Sequence, residues 1–267
     1  MLKDITLGQF FPGETLIHRL DPRTKLVFVI LYIVMLFTAS WFISYAVVLT
    51  FLIVVISVSK ISLKVILKSL KPLLFIIVLT GILNLFYTQG TPIFSFWIFT
   101  VTEEGLLNAL FMVLRISMLI TGTFMLTYTT SPIALTDGLE SLLSPLKKIR
   151  VPVHELAMMM CIALRFIPTL IEETDKIMCA QKARGADFES GNLIQRAKAL
   201  IPILVPLFIS SFRRADELAV AMECRCYHGG EGRTRMKQLA YARRDWIAYA
   251  FGIFLLAVII LLRQFGL

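Results

Sequence analysis

The chain has 267 residues, 57% hydrophobic and 17% charged, with a mean hydropathy of +0.79. A soluble domain carries about 45–50% apolar and about 25% charged residues, so a soluble enzyme, a disordered chain and a secreted disulfide scaffold are excluded as readings of the whole. The net charge of +9 is read first as membrane topology, because Lys- and Arg-rich loops stay cytoplasmic, and it implies no nucleic-acid partner.

The segment up to Lys25 mixes acids with bases and contains Pro12, Gly13 and Pro22. It lacks a small-residue cleavage site before the apolar run, so it is not read as a cleaved signal. From Leu26 to Ser59 the chain carries no charge. One span needs about 20 apolar residues, so this run is too long for one and a little short for two. The break at Thr38-Ala39-Ser40-Trp41 favours a tight hairpin of two short spans, 26–39 and 42–59, over one long tilted helix.

Lys60, Lys64, Lys68 and Lys71 recur every three or four positions, one face of a short amphipathic helix. Pro72 to Thr102 is free of charge: a span over 72–88, then Gln89-Gly90-Thr91-Pro92 and IFSFWIF, an aromatic-rich interfacial loop. Glu103 and Glu104 open another apolar stretch, Gly105 to Leu126, interrupted only by Arg115. The last span covers 246–262, after Arg243-Arg244-Asp245-Trp246.

Lys and Arg number four up to Lys25, four in the 60–71 loop, none at 38–41 or 88–105, and seventeen over 129–245. Every second connection is basic, which predicts five spans with the N-terminus cytoplasmic and the C-terminus outside. The chain then divides into a four-span membrane bundle (1–128), a cytoplasmic region (129–245) and a last transmembrane helix (246–267). All four cysteines fall in the cytoplasmic region, where disulfides are not expected.

Three helices are predicted in that region. The first follows Ser131-Pro132, an N-cap with Pro at N1, and ends near Pro145. The second runs from Val151-Pro152 to Gly185 through Pro168, and the third from Asn192 to Cys226 or Tyr227 through Pro202 and Pro206. At about 1.5 Å per residue, each of the last two reaches roughly 45–50 Å. Leu156, Met158, Met159, Met160 and the stretch LIPILVPLFI (200–209) make them amphipathic, and adjacent methionines suit an adaptable docking surface.

Placing Ala180 on Ala221 aligns Ala183 with Cys224, Arg184 with Arg225 and Gly185 with Cys226; Asp175 and Asp216 also coincide. A small-x-x-small-Arg-small pattern thus occurs twice, each time in a last helical turn before a glycine stop. Small neighbours leave each guanidinium clear of its helix, free to grip a carboxylate bidentately. An arginine in a last turn also complements the helix dipole, but the pairing points to two equivalent sockets on a dimeric or pseudo-dimeric partner.

There is no P-loop motif, and Gly229-Gly230-Glu231-Gly232 lacks the strand–turn–helix setting of a dinucleotide site. Cys224-x-Cys226-x-His228 fits none of the usual zinc spacings; no metal or cofactor is expected. Arg115 is the one charge well inside a span, near mid-membrane with no acidic partner in another span. Carbonyls or hydroxyls such as Ser117 or Thr121 are its expected partners, or a bound protein.

The stretch Leu20-Asp21-Pro22-Arg23-Thr24-Lys25-Leu26, the run Leu164-Arg165-Phe166-Ile167-Pro168 and the tip Ala183-Arg184-Gly185, in that order, resemble the transmembrane T component (EcfT) family of energy-coupling factor transporters, which is CbiQ-like. The likeness covers nearly the whole chain. It implies an all-α polytopic protein of the bacterial cell membrane, with about five transmembrane helices plus long amphipathic cytoplasmic coupling helices. It further implies a non-enzymatic scaffold without cofactors that joins two ABC ATPase subunits (EcfA type, identical or paired homologues) to a membrane-embedded substrate-binding S component, for vitamin or metal-ion uptake. Ala183, Arg184 and Gly185, and Cys224, Arg225 and Cys226, would be the ATPase-docking motifs, the second departing from the commoner form by its cysteines. Asp21, Pro22, Arg23, Lys25, Arg165 and Pro168 would be structural motif residues. The alternatives are a polytopic membrane enzyme at the cytoplasmic interface and a secondary transporter acting alone.

Overall fold

Asp21 and Pro22 start the first helix, α1 (Pro22–Thr38): the Asp21 carboxylate accepts from the Arg23 backbone N–H at 2.9 Å, and proline's fixed φ suits the first helical position. The structure, a computed structural model, describes residues 10–88, 91–96, 99–188, 192–229 and 238–265. Gln89, Gly90, Trp97 and Ile98 of the expected loop, and Gly230 to Gly232, lie outside the described residues.

The uncharged run folds as two helices, α1 and α2 (Phe42–Ser59), joined at Ala39-Ser40-Trp41. Lys60, with φ at +55°, ends α2. The lysine-rich segment is α3 (Leu63–Leu70), with Lys64 and Lys68 exposed and Ile66 buried. A 3-10 turn at Lys71–Leu73 leads into α4 (Leu74–Tyr87).

The expected aromatic loop is more ordered than its composition suggests. It holds a two-stranded antiparallel hairpin, β1 (Pro92–Phe96) and β2 (Phe99–Thr102), pairing Phe94 with Val101 and Phe96 with Phe99. Its residues are β-branched and aromatic, which favours strands, while an uncharged composition reads equally well as a membrane-interface loop. Thr102 caps the next helix, α5 (Glu103–Thr129), accepting from Gly105 N–H at 3.0 Å.

These helices, with α6 (Pro132–Leu143) and α9 (Arg243–Gln264), belong to a unit of residues 7–141 and 239–267. Its core is built from Tyr32, Met35 and Leu36 of α1, Tyr45 and Val48 of α2, Met118 of α5 and Ile259 of α9. Tyr32 packs on Gly122, where an added Cβ would collide with the ring, and donates its hydroxyl to the Met118 carbonyl at 2.9 Å. Outside the core the helices turn large apolar side chains outward, Phe75 of α4 at 73% exposure and Phe254 of α9 at 64%. Aqueous domains bury such residues; a bilayer solvates them.

The second unit covers 142–238 and contains α7 (Val153–Ala183) and α8 (Leu193–Glu223). Six described helical stretches are long and apolar enough to cross a membrane: 42–59, 63–87, 103–129, 153–183, 194–223 and 243–264. The 17-residue α1 is not among them, and α7 and α8 are. Hydropathy averages over a window and does not register the charges that α7 and α8 carry. These include Glu172, Glu173, Asp175 and Lys176 in α7 and Arg213, Arg214, Asp216 and Glu217 in α8; α2 carries none.

Candidate functional site

Helix α7 ends in a double-bonded glycine cap. Gly185 N–H donates to the Lys182 carbonyl at 3.0 Å and Ala186 N–H to the Gln181 carbonyl at 3.0 Å, with Gly185 at φ +86°. Helix α8 repeats the arrangement at the aligned positions: Cys226 N–H donates to the Glu223 carbonyl at 2.8 Å and Tyr227 N–H to the Met222 carbonyl at 3.1 Å. This is the Schellman geometry, in which a left-handed residue turns the chain off the helix axis. In α8 that residue is Cys226, at φ +54°. Arg184 and Arg225 thus occupy the same position before the same turn, and both are exposed. Neither guanidinium has a hydrogen bond or ion pair with a described residue.

The two helices pack antiparallel. Arg214 of α8 lies over the Phe166 ring at 5.8 Å and donates to Glu173 Oε2 at 3.1 Å, Ser210 donates to Glu173 Oε1, and Gln181 Nε2 lies 3.5 Å from the Pro202 carbonyl. Glu173 and Arg214 are themselves 41 residues apart, so the offset that relates the tips also relates the crossing pair. Each stands eleven positions before its helix's terminal arginine. At about 1.5 Å per residue, the two arginines sit at opposite ends of the pair, roughly 30 Å apart.

Arg165 is exposed on α7, with no polar partner among the described residues. Pro168 interrupts α7 within its hydrogen-bonded span, leaving one carbonyl without its intrahelical donor.

The remaining motif residues gather at the start of α1. The Asp21 backbone N–H donates to Asp245 Oδ1 at 2.9 Å, and Asp245 Oδ2 accepts from Ala242 N–H at 2.9 Å. Lys25 is buried and its amine donates to the Thr129 carbonyl (2.9 Å), Thr130 Oγ1 (3.1 Å) and the His18 carbonyl (3.2 Å). Arg23 lies over the Tyr241 ring at 4.4 Å and its Nε is 3.3 Å from Asp21 Oδ1. The motif ties together the beginnings of α1 and α9 and the end of α5. Asp245 is the partner that the motif does not name; its one signal in the sequence is an acid in the first turn of the last helix, where it caps.

His18 stands beside this cluster. Its Nε2 is 3.1 Å from the Phe11 carbonyl and its Nδ1 is 2.7 Å from Thr15 Oγ1, an arrangement that the neutral ring satisfies with Nε2 donating and Nδ1 accepting. Burial holds its pKa below the usual 6.5; the Phe11 carbonyl opposes that shift and the Lys25 charge adds to it.

Arg115 does not use Ser117 or Thr121. Its Nε donates to the Tyr45 hydroxyl at 2.7 Å and its Nη2 to the Ala39 carbonyl at 3.3 Å, with the Phe37 and Tyr45 rings each 5.7 Å from the guanidinium carbon. Ser117 and Thr121 donate to carbonyls of their own helix, Val113 and Ser117, at 2.7 Å. Residues two and six positions along a helix point away from Arg115, which is the reason. The guanidinium thus reaches the α1–α2 turn, whereas position in the span alone suggests mid-membrane.

The family model described as CbiQ, cobalt transport protein, matches residues 13–236. A Clostridium kluyveri protein named energy-coupling factor transporter transmembrane protein EcfT is 58% identical over 265 residues, covering 98% of each chain. Proteins of the same name from Thermosediminibacter oceani and Bacillus subtilis are 59% identical over 248 residues (93% of this chain, 94% of the relative) and 48% over 264 residues (98% and 100%). Identity of this extent, together with the apolar helices, makes this a multi-pass membrane protein, and the chain belongs to the EcfT family of energy-coupling factor transporter transmembrane proteins, within the CbiQ family.

Proposed function

We propose that the chain is the coupling scaffold of an ATP-driven importer and catalyses no reaction itself. Two ABC ATPase subunits dock on Ala183-Arg184-Gly185 and Cys224-Arg225-Cys226, and a membrane-embedded S component carries the vitamin or metal ion. The observation that carries this reading is the matched pair of exposed arginines, unpartnered among the described residues, in like caps at opposite ends of one antiparallel helix pair. A two-fold partner meets such a pair with two equivalent grooves, each offering a carboxylate to a planar fork. Because the helices cross at Glu173 and Arg214, movement of one docked ATPase relative to the other acts on the crossing as a lever.

The S component rests on the apolar face of α8, where Ile201, Leu204, Val205, Phe208 and Phe212 are all exposed at helical spacing. In this topology α1, α2, α4, α5 and α9 span the bilayer, the N-terminus and 129–245 are cytoplasmic, and the C-terminus is outside.

The test is co-purification. Tagged protein expressed with its ATPases is isolated in mild detergent, with Arg184→Glu and Arg225→Glu singly and together. Each single change weakens ATPase retention, and the double change abolishes it, because the two sockets act through a shared effective concentration. Unchanged retention in the double variant would exclude the arginines as docking groups.

A further inference from the structure

Where α2 stops and α9 begins, a groove of about 920 Å³ opens beside the 11–19 segment. Arg19, Lys60 and Arg244 line it, and the one lining acid, Glu14, is already paired with Arg19 at 2.9 Å. The Lys60 amine and the Arg244 guanidinium have no hydrogen-bond or ion-pair partner among the described residues. Ser59, 3% exposed, is in the groove wall, and its hydroxyl also lacks a partner among the described residues. A buried hydroxyl left unpaired is costly. Phe11, Leu16, Val58 and Val65 give the groove apolar wall, and His18 with the hydroxyl residues Thr15, Ser57 and Ser62 completes its polar lining.

A second, apolar cavity of about 210 Å³ continues along the same elements, lined by Ile17, Phe51, Val55, Leu126 and Phe251. Val55 lies one turn from Ser59 on α2, and Ile17 follows Leu16 in the chain. Cations without a partner among the described residues at the polar end of a helix, followed by an apolar slot along that helix, match a phosphate ester carrying a fatty chain. A free anion makes no use of the slot, and a zwitterionic lipid brings a cation against Lys60 and Arg244.

We propose that this groove binds an anionic phospholipid. The phosphate sits between Lys60 and Arg244 with Arg19 at its edge, Ser59 donates to an ester oxygen, and one acyl chain runs past Val58 towards the apolar cavity. Seated there, the lipid bridges α2, α9 and the 11–19 segment, the elements that flank the Asp21–Asp245 contact.

The experiment is native mass spectrometry of the full-length chain in detergent, titrated with dioleoyl phosphatidylglycerol or dioleoyl phosphatidylcholine. One phosphatidylglycerol is retained per chain at least tenfold more tightly than phosphatidylcholine, and Lys60→Gln with Arg244→Gln removes the difference. Equal retention of the two lipids overturns the proposal, as does a double variant with undiminished preference. Displacement by millimolar inorganic phosphate also overturns it, by assigning the groove to a free anion. If the double variant does not fold, Lys60→Gln alone, at an exposed position, is read instead. At about 1 kcal/mol per base near a charged lipid it loses about fivefold in affinity, and no loss again overturns the site.

Discussion

Arg214 donates to Glu173 at 3.1 Å across the α7–α8 crossing, and the two residues are related by the same 41-residue offset as the terminal arginines. The crossing point is therefore equidistant in sequence from both tips. This partly buried, hydrogen-bonded ion pair holds one helix to the other.

Spin labels at Ala186 and Tyr227, in a background with the cysteines replaced, report on this contact. The unmodified crossing gives one distance distribution centred at roughly 30–40 Å. Glu173→Ala broadens it, and Glu173→Ala with Arg214→Ala broadens it little further, because both changes remove the same contact. A distribution unchanged in Glu173→Ala would show that the pair does not fix how α7 and α8 cross.

Cys226 holds the left-handed position that Gly185 holds in the other tip. A non-glycine residue there costs about 1–2 kcal/mol. Cys226→Gly stabilises the α8 end by about 1 kcal/mol and slows exchange of the backbone amides at positions 226 and 227 about fivefold, while Gly185→Ala speeds exchange at positions 185 and 186 by a similar factor. Identical exchange in variant and parent would mean that the cap geometry is not formed in solution.

Asp245 satisfies two backbone donors, Asp21 N–H and Ala242 N–H, and is 2% exposed. Asp245→Ala leaves both without their acceptor and costs about 2–4 kcal/mol, since each bond to a charged group contributes about 1.5–3 kcal/mol and the losses overlap. The readout is thermal unfolding of the detergent-solubilised protein. Asp245→Asn retains one acceptor and unfolds between the parent and Asp245→Ala; an unshifted midpoint in Asp245→Ala would refute the bridge.

Gly122 admits the Tyr32 ring where a methyl group would collide with it. Gly122→Ala destabilises the bundle by about 1–3 kcal/mol through overpacking. Tyr32→Phe costs less, losing only the hydrogen bond to Met118. Reversal of that order in unfolding midpoints would show that α1 and α5 do not approach here as described.

His18 makes the bundle sensitive to acid. Its folded pKa is depressed, so the unfolded chain takes up the proton first as pH falls. Stability is unaffected well above the ordinary histidine value of 6.5, declines as pH drops through 6.5 towards the folded value, and levels off below it. His18→Gln flattens this part of the profile of unfolding midpoint against pH; an unchanged slope would assign the acid sensitivity elsewhere.

Much of this is legible in the chain itself. The charge-free run from Leu26 to Ser59, with one polar break, specifies two short helices. Ser131-Pro132, Pro152 and Asn192 mark helix starts, and Gly185 marks a stop, because caps are local and their residue preferences follow from hydrogen bonds within one turn. The hairpin at 92–102 is not legible in the same way, since aromatic residues without charges serve a strand and an interfacial loop equally.

What the sequence determined by itself was membrane residence, the helices and the repeated arginine tip, all set by composition or by spacings within a few residues. Tertiary structure alone decided that Asp21 meets Asp245 across 224 residues, that Arg115 reaches Tyr45 and the Ala39 carbonyl, and that α7 and α8 cross at Glu173 and Arg214. Those contacts join residues far apart in the chain, and nothing in the local pattern of a helix states which distant helix will satisfy its polar groups.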